Sequence, residues 1–381
     1  MQNFLLRVPS TLVFGQDVLA KLGPVALEYG SRALVISEAV LHEGNHIGRV
    51  VEILKRAGLE TMVYDELMPG SPASSVDELA SLARASRTEV VVGLGGMRVL
   101  SIARCVANVA VDGIGIADMF DGKMPSKSLP YVEIPSSYRN HLLMRNESVI
   151  RDVQAGRARI VKISPGTVRA VIIDTSFAQT LSSKYALAAI LDTLLAAIEG
   201  YFSTHSSLYS DTLLERAIRE LHAAALMGVR NPADARFRYR AAEAGLLTAM
   251  GVGVAGQGIG GILSYVLNAR FGLPKSWVAT ILLPHVVDML TPRNEEKAAR
   301  VAAALSEPIE GIRAADDAPR AARGVRKLLS QLDLPVRLRD LDVAHEELSN
   351  AAEDALDYSG LAAVPGGASD ADLQQLVSTA Y

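Results

Sequence analysis

The sequence holds one cysteine, Cys105, in 381 residues, which excludes a disulfide framework and a thiolate metal site. Cys105 falls on the apolar face of a predicted helix, so a buried, inert thiol is expected rather than a nucleophile. No block of Lys and Arg occurs, and the formal net charge is −4, so neither nucleic acid nor a membrane surface is an expected partner. There is no internal repeat and no low-complexity segment. The first residues, MQNFLLRVPS, have neither a basic start nor a long apolar core, and a cytoplasmic protein is expected. What is present is ordinary for a globular chain: 49% hydrophobic and 21% charged residues, enough for two domains with sizeable cores.

One stretch organises the rest. Residues 89–107 read EVVVGLGGMRVLSIARCVA, where a β-branched run breaks into a turn at Gly93, Gly95 and Gly96 and then into apolar residues at helical spacing. This pattern predicts a strand, turn and helix that can cradle a phosphate, because glycines admit close backbone approach and the helix start stabilises negative charge. The same turn also serves plain packing in many α/β domains.

Residues 4–8 and 11–14 are predicted as a strand pair, residues 16–29 as a helix and residues 32–36 as a buried strand ending in Ser37 and Glu38. A third strand at 61–64 and a helix at 75–86 lead into the glycine turn, and strands at 131–134 and 169–173 bracket a polar segment, 139–159. Strands separated by helices predict parallel βαβ units, with ligands at the carboxyl ends of the strands, where Glu38 and the turn fall. Beyond Asp174 the strand signals stop and Ala- and Leu-rich helical patterns follow. The expected division is an α/β, Rossmann-like dinucleotide-binding domain over residues 1–178 and an all-α domain over 179–381.

Several segments resemble the iron-containing (group III) alcohol dehydrogenases and their maleylacetate reductase relatives: FGQDVLAKLG, VISEAVLHEG, GLGGMRVLSIAR, IPSSY, RAVIIDTSFAQTLSS, ILDTLLAAIEGYFSTHSSLYSD, ATILLPHVVDM and LDLPVRLRDL. The resemblance spans nearly the whole chain and implies the fold shared with dehydroquinate synthases. It also implies NAD as cofactor, a homodimer, and chemistry at a hydroxyl or keto group. The family binds a divalent metal through one Asp and three His. Here the resemblance puts Asp192 at the aspartate position, but Ala196, Gly261 and Lys275 at the histidine positions and Tyr265 at a nearby proton-handling histidine. One carboxylate with no imidazole cannot assemble the usual ligand set, so no catalytic metal is expected.

On the cofactor side, the family's Gly-Gly-Gly-Ser turn corresponds to Gly95, Gly96, Met97 and Arg98, and Arg98 can supply a charge-assisted phosphate contact. Glu38 replaces the ribose-binding aspartate and is expected to favour NAD over NADP by repelling a 2′-phosphate. Ser136 and Ser137 replace a Thr-Thr pair; Arg139, Asn140, His141 and Leu142 stand where a glycine-rich segment is expected; Arg159 falls where a lysine is usual. The expected function is therefore metal-independent NAD(H) oxidoreduction, with Lys275 in the metal's role, Tyr265 as proton donor and Asp192 as orienting partner. The substrate is a small molecule or a peptide; one specific case is a daptide-type tailoring pathway, in which a C-terminal threonine is oxidised and loses its carboxylate. The alternative is a non-catalytic binding or scaffold subunit.

Two other motifs are discounted. His42, Glu43 and His46 match H-E-x-x-H, but Gly44 and Asn45 between them argue for a loop or helix start. Gly251, Gly253 and Gly256 follow a helical pattern rather than a strand, which points to close helix packing. His285 and His205 are expected to be structural.

Overall fold

A computed structural model describes residues 4–6, 8–67, 73–309, 311 and 313–381. The chain forms two compact units: Arg7–Ser137 with Arg145–Thr180, and Leu181–Tyr381 with Met1–Leu6 and Tyr138–Met144. The second unit thus takes Tyr138–Met144 out of the middle of the first, a stretch that a linear division at residue 178 assigns to the α/β domain.

The first unit is built on a six-stranded sheet of β1 (Thr11–Gly15), β2 (Arg32–Ile36), β3 (Glu60–Tyr64), β4 (Val90–Gly95), β5 (Tyr131–Pro135) and a last strand, Val168–Asp174. Between β5 and that last strand lies an antiparallel hairpin, β6 (Glu147–Asp152) and β7 (Arg157–Lys162), so the last strand is β8. The order in the sheet is β1-β8-β5-β4-β2-β3, and every pair is parallel. The two-residue alternation of the strands decides which side each residue serves. Leu34, Ile36 and Val91 join a core with Val76, Leu79, Val99, Ile102 and Val106, whereas Ala33, Val35, Val90, Val92 and Leu94 join one with Leu22, Ala26, Val50 and Leu54. Each fully buried Val, Leu or Ile there contributes about 2 kcal/mol from area removed from water. The sheet is therefore covered on both faces by the helices α1 (Leu22–Leu27), α2 (His46–Arg56), α3 (Ser74–Ala85) and α4 (Met97–Val109).

The predicted pairing of 4–8 with 11–14 is not found. Arg7 lies outside the described residues, 4–6 and 8 carry no strand, and β1 instead pairs with β8 along its whole length. Pro9, which has no N–H to donate, separates the two segments and disfavours a hairpin there. The polar segment predicted at 139–159 contains β6, whose mixed residues ESVIRD carried no clear alternation.

The second unit is helical. Its central helix, α5 (Ser183–Phe202), is buried from Ala188 to Phe202; in length and composition it suffices to cross a membrane, but its burial is that of a core helix. Around it pack α6 (Leu208–Arg230), α7 (Ala235–Ala255), α8 (Ile259–Phe271) and α9 (Lys275–Leu290), followed by helices from Glu295–Ala304 to Asp370–Ala380. The chain bends by 103° between α7 and α8, at Gly256 with φ +80°. Gly251 in α7 packs on Leu214, where an added Cβ would stand 2.5 Å from its Cγ; the glycine spacing here serves helix contact.

Candidate functional site

In the helical unit, Asp192 lies mid-way along α5 and is buried, and the first two residues of α9, Lys275 and Ser276, converge on it. Lys275 Nζ donates to Asp192 Oδ1 at 2.5 Å, and Ser276 Oγ donates to Oδ2 at 3.3 Å. The stretch contributed from residues 138–144 supplies two more partners: an Arg139 amino group 3.3 Å from Oδ2 and His141 Nε2 3.3 Å from Oδ1. Arg139 also donates to Ser276 Oγ. The Lys275 ammonium sits 4.8 Å from the centroid of the Tyr265 ring, and the Tyr265 hydroxyl accepts from Gln257 Nε2 at 3.4 Å. The three residues singled out in the sequence, Lys275, Asp192 and Tyr265, are thus together.

The electrostatics follow from this packing. Burial raises the Asp192 carboxyl's pKa, but Lys275, His141 and Arg139 together more than reverse that and hold it well below the carboxylate range. Burial lowers the Lys275 pKa, with Asp192 opposing and Arg139 reinforcing, which makes its proton easier to give up than a surface lysine's. Burial also lowers the pKa of His141, favouring neutral imidazole; its Nε2–H donates to the Asp192 carboxylate, and its Nδ1 finds no hydrogen-bond partner among the described residues.

Arg139 and His141 were not read as site residues; the signal was the replacement of glycines by Arg-Asn-His. Glu199 was also missed. It lies seven residues after Asp192 on the same apolar helix, hence on the same face, and its buried carboxyl accepts the amides of Gly260, Gly261 and Gly258 at 2.6, 3.0 and 3.3 Å. An ideal Cβ on Gly261, at a histidine position in the resemblance, would stand 3.1 Å from Glu199 Oε2.

Burial pushes Glu199 up to about 7 from 4.5, against the pull of those amides and of Lys275. Between those values the folded protein keeps a proton that the unfolded chain releases, so the contribution of Glu199 to stability falls as pH rises. Relative to Glu199→Gln, the wild type should lose on the order of 3 kcal/mol between pH 4.5 and 8. Denaturant titrations at several pH values check this; parallel curves for the two proteins would contradict it.

In the α/β unit, adjacent strand ends bring the expected cofactor residues together. The register aligns Ile36 with Gly93 and Gly95 with Pro135, so Glu38, the glycine turn and Ser136 follow neighbouring strands. Ser37 Oγ donates to Leu94 O at 2.9 Å and the Ser136 amide to Gly95 O at 2.9 Å, fixing both strand ends to the turn. Ser137 is buried beside Ser136. A Cβ on Gly93 would stand 2.3 Å from the Tyr131 hydroxyl, and one on Gly95 2.8 Å from Val99 Cβ, so both glycines are required by packing. A Cβ on Gly96 would meet, among the described residues beyond its chain neighbours and its own helix, only Glu38 Oε1 within 4 Å, at 3.9 Å, which leaves room for a ligand at the start of α4. Met97, the first residue of α4, is buried. The helix is anchored further along by Arg104, whose buried guanidinium meets Glu133 at 2.5 Å. Arg159 is not brought to the turn; it binds Asp152 at 3.2 Å and lies over Phe120.

The discounted groups have structural surroundings. His42 binds Asp65 at 2.7 Å and ends a short 3-10 turn, whereas His46 is buried at the start of α2 against Phe177. His285 is half-buried on α9, with its pKa lowered by burial, and the His205 amide donates to Ser203 Oγ at 3.0 Å. Cys105 is buried, and burial pushes its thiol up to about 12.

Residues 9–175 match the family model of the iron-containing alcohol dehydrogenases, and residues 186–381 that of the C-terminal part of the Fe-containing alcohol dehydrogenase family. The chain belongs to the iron-containing alcohol dehydrogenase family. It is 25% identical over 378 residues to the lactaldehyde reductase of Escherichia coli (strain K12), covering 97% of this chain and 98% of that one. It is 22% identical over 383 residues to the NAD-dependent methanol dehydrogenase of Bacillus methanolicus, with 100% of each covered. Among solved structures, a 1,3-propanediol oxidoreductase has the same fold, with a TM-score of 0.93 at 21% identity over the whole of both chains. These relatives are named as reductases or dehydrogenases of alcohols and aldehydes.

The residues around Asp192 do not fit the family's metal. Both carboxylate oxygens face cations or hydrogen-bond donors, Lys275 and Arg139 bring positive charge to the carboxylate, and among the described residues His141 is the one imidazole that meets it. Among the described residues no group of three or more His, Cys, Asp or Glu could hold a metal ion.

Proposed function

We propose that this protein is a metal-independent, NAD(H)-dependent oxidoreductase that interconverts a hydroxyl and a keto group. The observation that carries the reading is the buried ammonium of Lys275, 2.5 Å from Asp192 in a helical unit whose family positions for metal ligands are otherwise Ala196 and Gly261. NAD(H), when bound, accepts or supplies the hydride. Glu38, the Gly96 amide, Ser136 and Ser137 are the groups that suit it on the strand ends. NAD rather than another carrier is supported by the methanol dehydrogenase relative, whose name specifies it.

Lys275 is placed to stabilise negative charge on the substrate oxygen and to hold or give up a proton at Nζ. A preorganised cation in a dry site does this without reorganisation. Asp192 orients Lys275, Arg139 keeps Asp192 ionised while lowering the proton affinity of Lys275, and Tyr265 covers the ammonium with its ring. A β-hydroxy acid suits such a site, including the C-terminal threonine of a peptide: its oxidation gives a β-keto acid that loses carbon dioxide without a metal.

Nucleotide titration tests the cofactor half of this reading. NADH is expected to bind, and Gly95→Val to abolish binding by displacing the first turn of α4. Heat or fluorescence changes absent with both NADH and NADPH would shift the reading to a non-catalytic scaffold. A purified preparation should carry less than about a tenth of an equivalent of iron or zinc, by the ligand count; elemental analysis with one full equivalent held by Asp192 would contradict it.

A further inference from the structure

The carboxylate that follows β2 does not stand alone. Glu38 Oε2 accepts a hydrogen bond from Arg98 Nη2 at 2.6 Å, and Oε1 lies 3.5 Å from the amide nitrogen of Gly96. Arg98 is the second residue of α4, so the glycine turn delivers its guanidinium to the acid on the neighbouring strand. The Arg98 and Glu38 side chains are 34% and 19% exposed, which leaves both within reach of a ligand.

An acid at this position excludes NADP by charge, because it repels the 2′-phosphate. Here that charge is compensated by a guanidinium one hydrogen bond away. Planar guanidinium is also the group that binds phosphate oxygens in pairs, and an arginine beside the ribose acid is a known way of accommodating a 2′-phosphate. The expectation that Glu38 selects NAD rests on the acid alone, and the structure supplies its counter-charge.

We propose that Arg98 is a cofactor-specificity residue which lets this chain accept NADP(H) as well as NAD(H): Glu38 takes the ribose hydroxyls of the one, and Arg98 takes the 2′-phosphate of the other. The inference rests on the dinucleotide reading given above. In the free protein the two side chains satisfy each other; an arriving 2′-phosphate replaces the carboxylate on Arg98, while Glu38 keeps the Gly96 amide beside it. No covalent step is involved.

Fluorescence titrations of the full chain with NADH and with NADPH test it. For the wild type both should bind, with dissociation constants within about tenfold of each other, since attraction by Arg98 offsets repulsion by Glu38. Arg98→Ala should weaken NADPH by roughly 30-fold and NADH by less than about threefold, the scale of a lost charge-assisted phosphate contact. Arg98→Lys, which keeps the charge but not the fork, should fall between, and Glu38→Gln should tighten NADPH while weakening NADH. Circular dichroism melts establish that each variant is folded. NADH binding with NADPH more than about a hundredfold weaker, or equal weakening of both by Arg98→Ala, overturns the inference and leaves the NAD reading intact. Binding of neither nucleotide to the wild type overturns the dinucleotide reading and this inference with it.

Discussion

Lys275→Ala should lower turnover by roughly 10²-fold or more while leaving NADH affinity within about twofold. The ammonium is buried, bonded to Asp192 at 2.5 Å and backed by the Tyr265 ring, so it is fixed before any charge develops on a substrate. Removing one preorganised donor from such a site has that scale of effect, because water entering the gap must reorient during the reaction. Arg139 remains 3.3 Å from the same carboxylate, so the variant does not leave Asp192 without a counter-ion and should stay folded. Steady-state rates, NADH titration and a melting curve on the same preparation separate the outcomes. A full loss of stability with unchanged specific activity in the folded fraction would assign Lys275 a purely structural part.

The second large effect is expected at the carboxylate. Asp192→Asn keeps size but removes the carboxylate charge that meets both Lys275 and Arg139, two cations in a buried site. Breaking a buried pair from one side typically costs about 3–5 kcal/mol, because the remaining charge stays in a poor solvent. Here Lys275 can shed its proton, which its burial-lowered pKa makes easier, so the lower part of that range is expected. Lys275→Met added to Asp192→Asn should then cost less than the sum of the singles. A coupling energy of about 1–3 kcal/mol in that double-mutant cycle is the predicted result. Additivity within a few tenths would mean that the pair contributes nothing as a pair.

Much of the α/β unit was legible because its strands are short β-branched runs bounded by helices. The strand predicted at 32–36 is found as β2, Arg32–Ile36, and the glycine turn falls where β4 gives way to α4. The hairpin of β6 and β7 was not legible, since ESVIRD and RARIVK mix charged and apolar residues and carry no strong apolar face. The strand predicted at 4–8 failed because a local apolar pattern does not say which partner a neighbouring segment will find, and β1 found β8.

The site was legible in part. Lys275 and Asp192 are 83 positions apart, and nothing local to either says that they meet; only the family resemblance placed them together. Arg139 and His141 were hidden by a topological excursion, in which residues 138–144 leave the α/β unit between β5 and β6 to join the helical one. Glu199 could have been found, because two acids seven apart on an apolar helix share a face and require partners. The glycine amides at the start of α8 are those partners.

The central claim is that the Lys275 and Asp192 site works without a divalent metal. Its most direct measurement is NADH oxidation with a panel of ketones and β-keto acids, on protein stripped by a chelator and verified by elemental analysis, before and after addition of one equivalent of iron(II) or zinc. The account predicts the same rate in the untreated, the stripped and the metal-supplemented protein. A rate abolished by the chelator and restored by stoichiometric metal would contradict it.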